Sequence, residues 1–413
     1  MNKKLNIRIN SNSLALLILL GSIVGFPLVA AVAELASINS TMISIFVRAF
    51  IALISIIFLL RFSRYSKSKK VIPIVALIIF SLLYISRIAY DFIFVNIPLG
   101  RPEYIFFIWF AGGCFLPAFA LSGVSNKIEE SEIIKFYKLF LWISPIVLLT
   151  ILGTENFSFE APGGYTVETN RMGLKSLNPI FAGHFAVSVF IVAVYSFTLF
   201  KLNFFKLIAL FALLIISFQV IIGSGSRGPL VAGILALLII ELGFFKLMFL
   251  FSVFLIIVTT GILPSIEEIP SALEGFAIFE RLIGTLDTFS QGDGRIAQYS
   301  SAILLISESP LTGGYLEDPQ FKIYPHNIIL ESIMAIGFLG GLILIYLMYH
   351  SVKTSILLLE KRPEFKALSI LLIQYIIAAQ FSGSIYTSTT MWVLIGFFCA
   401  SRRLDFILVK RLN

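Results

Sequence analysis

The stretch IIGSGSRGPLVAGILALLII, residues 221–240, joins two apolar runs through Ser224, Gly225, Ser226 and Arg227, with the hydrophobic pattern resuming at Pro229. Apolar runs of this length recur along the whole chain, and they decide its class. Of 413 residues, 58% are hydrophobic and 13% charged, and the mean hydropathy is +0.97. No soluble domain hides that much apolar surface. The expectation is an all-α polytopic membrane protein, a single integral-membrane domain over 1–413. Residues 14–33 are too long for a signal-peptide core and lack an evident cleavage site, so they read as the first span. Cys114 and Cys399 fall inside apolar segments and suggest no disulfide framework.

Stretches of about 20 apolar residues, enough to cross a bilayer, fall near 14–33, 42–60, 71–90, 104–123, 136–152, 179–200, 207–222, 229–245, 247–263, 327–349, 367–386 and 389–401. Twelve crossings put both termini on one side. With the N-terminus inside, the cytoplasmic segments hold 22 of the 31 Lys and Arg residues, including the tract RFSRYSKSKK at 61–70. That bias orients the chain in a bacterial inner membrane with both termini cytoplasmic. The tract is an orientation signal rather than a nucleic-acid patch, and no nucleic-acid partner is expected.

Acidic residues run the other way and make the outer side net negative. The outer cations are nevertheless mostly arginines: Arg48, Arg87, Arg101, Arg171, Arg227, Arg281 and Arg295. Inside, lysine outnumbers arginine. A guanidinium presents a planar fork of donors suited to phosphate oxygens, whereas an ammonium is a hydrated point charge. The asymmetry points to a bound anion, against the plainer reading of interfacial side chains paired with nearby acids.

Two outer loops are long: 153–178, and 264–326, which caps the bundle. Within the second, 272–289 and 295–309 have the periodicity of amphipathic helices lying along the membrane surface. QGDG at 291–294 and PLTGG at 310–314 mark turns. No HExxH, CxxC or Walker A pattern is present, so no metal site, nucleotide motor or cofactor is expected.

Histidine is scarce. His350 reads as solvated or packed at a cytoplasmic helix end. His184, inside the sixth span, reads first as a core histidine satisfied by a neighbouring helix. His326 stands where the long outer loop meets the tenth span, in YPHNIILESIMAIGFLGG. The positive end of that helix disfavours imidazolium and keeps the ring able to accept a proton. Arg227 stands at a second outward helix start, where Ser224 or Ser226 can cap and free amides suit an anion. Gly223, Gly225 and Gly228 would let a phosphate approach the backbone. The competing reading is a small-residue packing turn with an interfacial arginine.

Three stretches together resemble the O-antigen ligase and polymerase superfamily of bacterial inner-membrane proteins. These are NRMGLKSLNPIFAGHFA at 170–186, GSGSRGPLVAGILALLI at 223–239, and residues 294–341 with their arginine, P-L-x-G turn and H-N-x-x-L-E block. The resemblance is sharp over about 170–345 and topological elsewhere. It implies an inverting glycosyltransferase that uses an undecaprenyl-diphosphate-linked oligosaccharide at the outer membrane face, without metal or nucleotide sugar. It implies catalytic roles for His326, Arg227 and Arg295. It also places Arg171 on the donor's diphosphate, whereas Arg281 has no clear match in the family pattern; Arg281, Arg48, Arg87, Asn327 and Glu331 are expected from their outer placement to bind diphosphate or glycan. A polysaccharide polymerase is favoured over a ligase that transfers glycan to lipid A-core. Membrane lipid, a chain-length regulator and a flippase are the expected partners. A flippase or other transporter is the alternative from another class, though the internal repeats usual in transporters are not evident.

Overall fold

The computed structural model describes residues 11–38, 40–62, 72–94, 99–122, 124–154, 157–160, 166–169, 171–174, 177–243 and 294–399. Its helices are α1 (Ser11–Leu35), α2 (Ser40–Phe62), α3 (Ile72–Phe94), α4 (Glu103–Phe107), α5 (Leu116–Leu121), α6 (Glu130–Leu152), α7 (Pro179–Leu199), α8 (Phe204–Gly223), α9 (Arg227–Leu242), α10 (Gly294–Glu308), α11 (Ile328–Leu359), α12 (Lys366–Ala378) and α13 (Thr389–Cys399). A π-helical segment, Ile108–Phe115, links α4 to α5. Each apolar stretch read from the sequence overlaps a helix except 247–263, which lies outside the described residues, as do 272–289 and Arg281.

Among the described residues, eight helical segments are long and apolar enough to cross a membrane. The other three that fall on expected spans are shorter: α9 has 16 residues, α12 has 13 and α13 has 11. Aromatic and aliphatic side chains stand on the outside of the bundle, with Leu60 78%, Trp142 75% and Phe205 79% exposed. Such a surface is stable only against lipid, where every span must satisfy its own backbone. Inside, Trp392 packs on Phe80 at 5.1 Å and Tyr84 on Phe110 at 4.7 Å, locking α13, α3 and the π-helical segment into one core.

Three departures from the sequence expectation shape the end of the bundle that carries the candidate site. The loop 153–178 contains an antiparallel hairpin, β1 (Phe157–Glu160) with β2 (Thr166–Thr169), in which Phe157 faces Thr169. Its alternating FSFE and TVET segments are too short to stand out beside 20-residue apolar runs. The expected span 367–386 ends as a helix at Ala378, and 379–388 turns back toward α11.

Finally, α11 runs to Leu359 rather than 349 and is broken at Ile336 (φ −133°, ψ 18°) and Gly337 (φ 74°). The break exposes backbone groups that the PLTGG turn takes up. Phe338 N–H donates to the Pro310 carbonyl at 2.9 Å, and Gly314 and Tyr315 N–H donate to Met334 O at 2.8 and 3.1 Å. A Cβ on Gly337 would stand 2.1 Å from the Leu311 carbonyl oxygen, so only glycine fits.

Candidate functional site

The turn between α8 and α9 is built by small residues that let three segments meet. Gly225 takes φ 58°, reversing the chain. A Cβ on Gly183 of α7 would lie 2.9 Å from both Ser224 Oγ and Pro229 Cγ. Gly223 is filled by Met172, whose sulfur would stand 2.3 Å from an added Cβ. Close protein packing therefore accounts for Gly223. Gly228, by contrast, has nothing within 4 Å of an added Cβ and faces open space.

Neither serine caps α9. Ser226 holds the N-cap position but makes no side-chain cap bond. Its hydroxyl accepts from Arg171 Nη2, while Arg171 Nε donates to the Ser224 carbonyl at 2.8 Å. The two-pronged contact uses the guanidinium fork, which a lysine cannot reproduce. It orients Arg171 over the turn and engages the Ser226 hydroxyl that could otherwise cap α9.

Arg171, Arg227 and Arg295 line one cavity of about 360 Å³, with Gly225, Gly228 and Ser382 among the other walls. No carboxylate lines it among the described residues. Three guanidiniums around a cavity beside an uncapped helix start favour a multiply charged anion. Arg295 reaches the cavity from the first turn of α10, the amphipathic helix expected at 295–309.

His326 does not line this cavity but lies close enough to Arg295, which does, to feel its charge. Burial, and secondly the Arg295 charge, push its pKa down to about 4. The imidazole is thus neutral near pH 7, as expected, but for a reason other than the helix end. His326 adopts φ 54°, directly before the Asn327 N-cap of α11, and its ring meets Tyr324 edge-on at 4.8 Å. Its buried Nδ1 has no partner among the described residues. Burial also raises the Tyr324 hydroxyl, to about 12.

Asn327 and Glu331, expected to bind substrate, instead build the frame. The Asn327 side chain accepts from the N–H groups of Ile329 and Leu330 at 3.1 and 3.0 Å, and its Nδ2 donates to Gln380 O. Glu331 is fully buried. Its Oε1 accepts from Ser384 Oγ at 2.9 Å and its Oε2 from Ile385 N–H at 3.0 Å. Together they hang the 379–388 turn, which carries Phe381 and Ser382 into the cavity, on the start of α11.

Arg87 and Arg48 are not in the arginine cavity. Arg87 pairs with Asp91 at 2.5 Å and donates to the Gly314 carbonyl, bracing α3 against the PLTGG turn. Arg48 lines a second cavity of about 310 Å³, together with Arg101, His184 and Tyr324, and Ser382 lines both cavities. Sequence reasoning missed Ser382 and Phe381, because they lay inside an expected span. Arg101 was visible only as one of several outer arginines.

The fold and the site define a membrane-embedded protein with an arginine-lined cavity and a neutral histidine within reach of one of its arginines. Residues 212–345 match the O-antigen ligase family, which is consistent with the O-antigen ligase and polymerase superfamily. Members of that family are glycosyltransferase-like enzymes acting on lipid-linked polysaccharide in the membrane. The matched stretch contains Arg227, Arg295 and His326, whereas Arg171, Arg48 and Arg101 precede it. No curated protein and no solved structure matches the chain.

Proposed function

We propose that the protein is a polysaccharide polymerase. It transfers a growing glycan from undecaprenyl diphosphate to the sugar end of a new lipid-linked repeat, at the outer face of a bacterial inner membrane. The chain crosses the membrane twelve times, and its termini are cytoplasmic. The observation that carries this reading is that Arg171, Arg227 and Arg295 share one cavity and that His326 lies within reach of the Arg295 charge.

The chemistry follows from those side chains. His326 accepts the proton of the acceptor hydroxyl as its oxygen attacks the anomeric carbon. The bond from that carbon to the diphosphate oxygen breaks, and the diphosphate leaves with the electron pair. Arg171, Arg227 and Arg295 hold the charge that develops there, in a site of low dielectric where fixed donors act strongly. A single in-line displacement inverts the anomeric centre. A positioned base contributes roughly 10²–10⁴ in rate, and one fixed donor on the leaving charge roughly 10²–10³.

Ligase activity onto lipid A-core uses the same donor half, and the acceptor alone separates the two. Deleting the chain in its host tests this. Loss of long chains with one repeat still attached to core supports the polymerase, whereas loss of all attached glycan makes it a ligase. Elongation of repeats presented only on the outside of liposomes would set transport aside.

A further inference from the structure

The second cavity has the makings of a binding site that the transfer chemistry alone does not require. Arg48 Cζ lies 4.0 Å from the Trp109 ring centre and 5.5 Å from that of Phe26, and Arg101 Cζ lies 5.0 Å from Trp109. Two cations thus share one indole, an arrangement that repels itself unless an anion joins it. Neither arginine has an ion pair among the described residues, and no carboxylate lines the cavity there. Glu317, whose charge Arg101 senses, uses its two oxygens on Gly100 N–H at 2.7 Å and Tyr386 O–H at 3.2 Å.

Buried polar atoms aimed at the same space await partners. His184 is 4% exposed and lines the cavity, yet among the described residues neither ring nitrogen has a hydrogen-bond partner, and buried Arg48 Nη1 also lacks one. Leaving such groups unpaired costs roughly 1–3 kcal/mol each. His184 is therefore not the satisfied core histidine that its position suggested. The π-helical segment brings Gly113 to the wall, where an added Cβ would stand 3.5 Å from Arg48 Cδ. Ser382, Thr387, Ser388 and Thr389 add hydroxyl-bearing side chains to the lining. Hydroxyls, rings and a guanidinium pair suit a sugar bearing a carboxylate: the ring faces pack its apolar face and the forks take the acid.

We propose that this cavity binds an acidic saccharide, a uronate-type residue at the acceptor end of the lipid-linked repeat. Tyr324 lines the cavity and contacts His326, so a sugar held there directs its hydroxyl toward the base. The acceptor role rests on the transfer reaction proposed above, whereas the recognition of acid does not.

The test uses the full chain in nanodiscs: proton saturation-transfer NMR reads the binding of methyl glucuronide, methyl galacturonide and methyl glucoside, and phosphorus-31 line broadening reads that of inorganic phosphate and pyrophosphate. At least one uronide should bind roughly tenfold or more tightly than the neutral glucoside. The Arg48→Gln, Arg101→Gln variant should lose that preference. Arg101 lies at the exposed mouth, so Arg101→Gln alone serves if the double variant does not fold. Arg227→Gln should keep uronide binding and lose pyrophosphate binding. Equal binding of glucoside, binding of phosphate alone, or a preference that survives loss of Arg48 and Arg101 overturns the inference. Pyrophosphate binding that survives Arg227→Gln strikes instead at the donor cavity and leaves the uronide result standing.

Discussion

Replacing Glu331 distinguishes an architectural carboxyl from one that touches substrate. The side chain is fully buried and supplies the acceptors for Ser384 Oγ–H at 2.9 Å and Ile385 N–H at 3.0 Å. Glu331→Leu leaves both donors buried without a partner, at about 1–3 kcal/mol each, so about 2–6 kcal/mol in total. Even 2.8 kcal/mol changes the balance between attached and detached turn about 100-fold. Because that turn carries Phe381 and Ser382 into the arginine cavity, transfer should fall with it. Glu331→Gln behaves differently. Its amide oxygen can accept from Ile385 N–H, and its NH₂ can donate to Ser384 Oγ, because a hydroxyl both donates and accepts. Glycan transfer and thermal unfolding, measured on both variants in one detergent, should show the leucine variant impaired in both and the glutamine variant close to wild type. A glutamine variant that folds normally yet has lost transfer would refute the architectural role.

Three further expectations concern the same end of the molecule. The acidic limb of kcat/KM should lie well below the ordinary histidine value of about 6.5, because the free-enzyme His326 pKa is depressed to about 4. Since the Arg295 charge lowers that pKa, Arg295→Gln should move the limb to higher pH; a limb that moves down or stays fixed contradicts the coupling. Gly337→Ala places a Cβ 2.1 Å from the Leu311 carbonyl at φ 74°. It should lower the unfolding midpoint and loosen the PLTGG turn, read by protease sensitivity near 310–314; unchanged stability would contradict the docking. Arg87→Met should destabilise by about 3–5 kcal/mol by stranding the buried Asp91, and Arg87→Met with Asp91→Leu should recover most of that. Activity lost in the double variant at recovered stability would return Arg87 to the substrate site.

Much of this was legible in the sequence, for identifiable reasons. Spans declare themselves through composition alone, since lipid demands long apolar helices with satisfied backbones. The arginine preference on an acidic side pointed to an anion, and Arg171, Arg227 and Arg295 do share a cavity. What stayed hidden depends on contacts between distant residues. Nothing local in 367–386 says that the helix stops at Ala378, because Glu331 and Asn327 hold the following turn from another helix. Gly223 looked like room for phosphate but is occupied by Met172. Arg48 and Arg87 were alike as outer cations, yet one lines a cavity beside Trp109 and the other is paired to Asp91.

The central claim is that the three-arginine cavity and His326 act together on a lipid diphosphate donor. Its most direct measurement is elongation of lipid-linked repeats presented only on the outside of liposomes containing the purified protein. Arg227→Ala and His326→Ala should each lower the elongation rate by roughly 10² or more while leaving the protein folded. Elongation that persists at the wild-type rate in either variant would contradict the account.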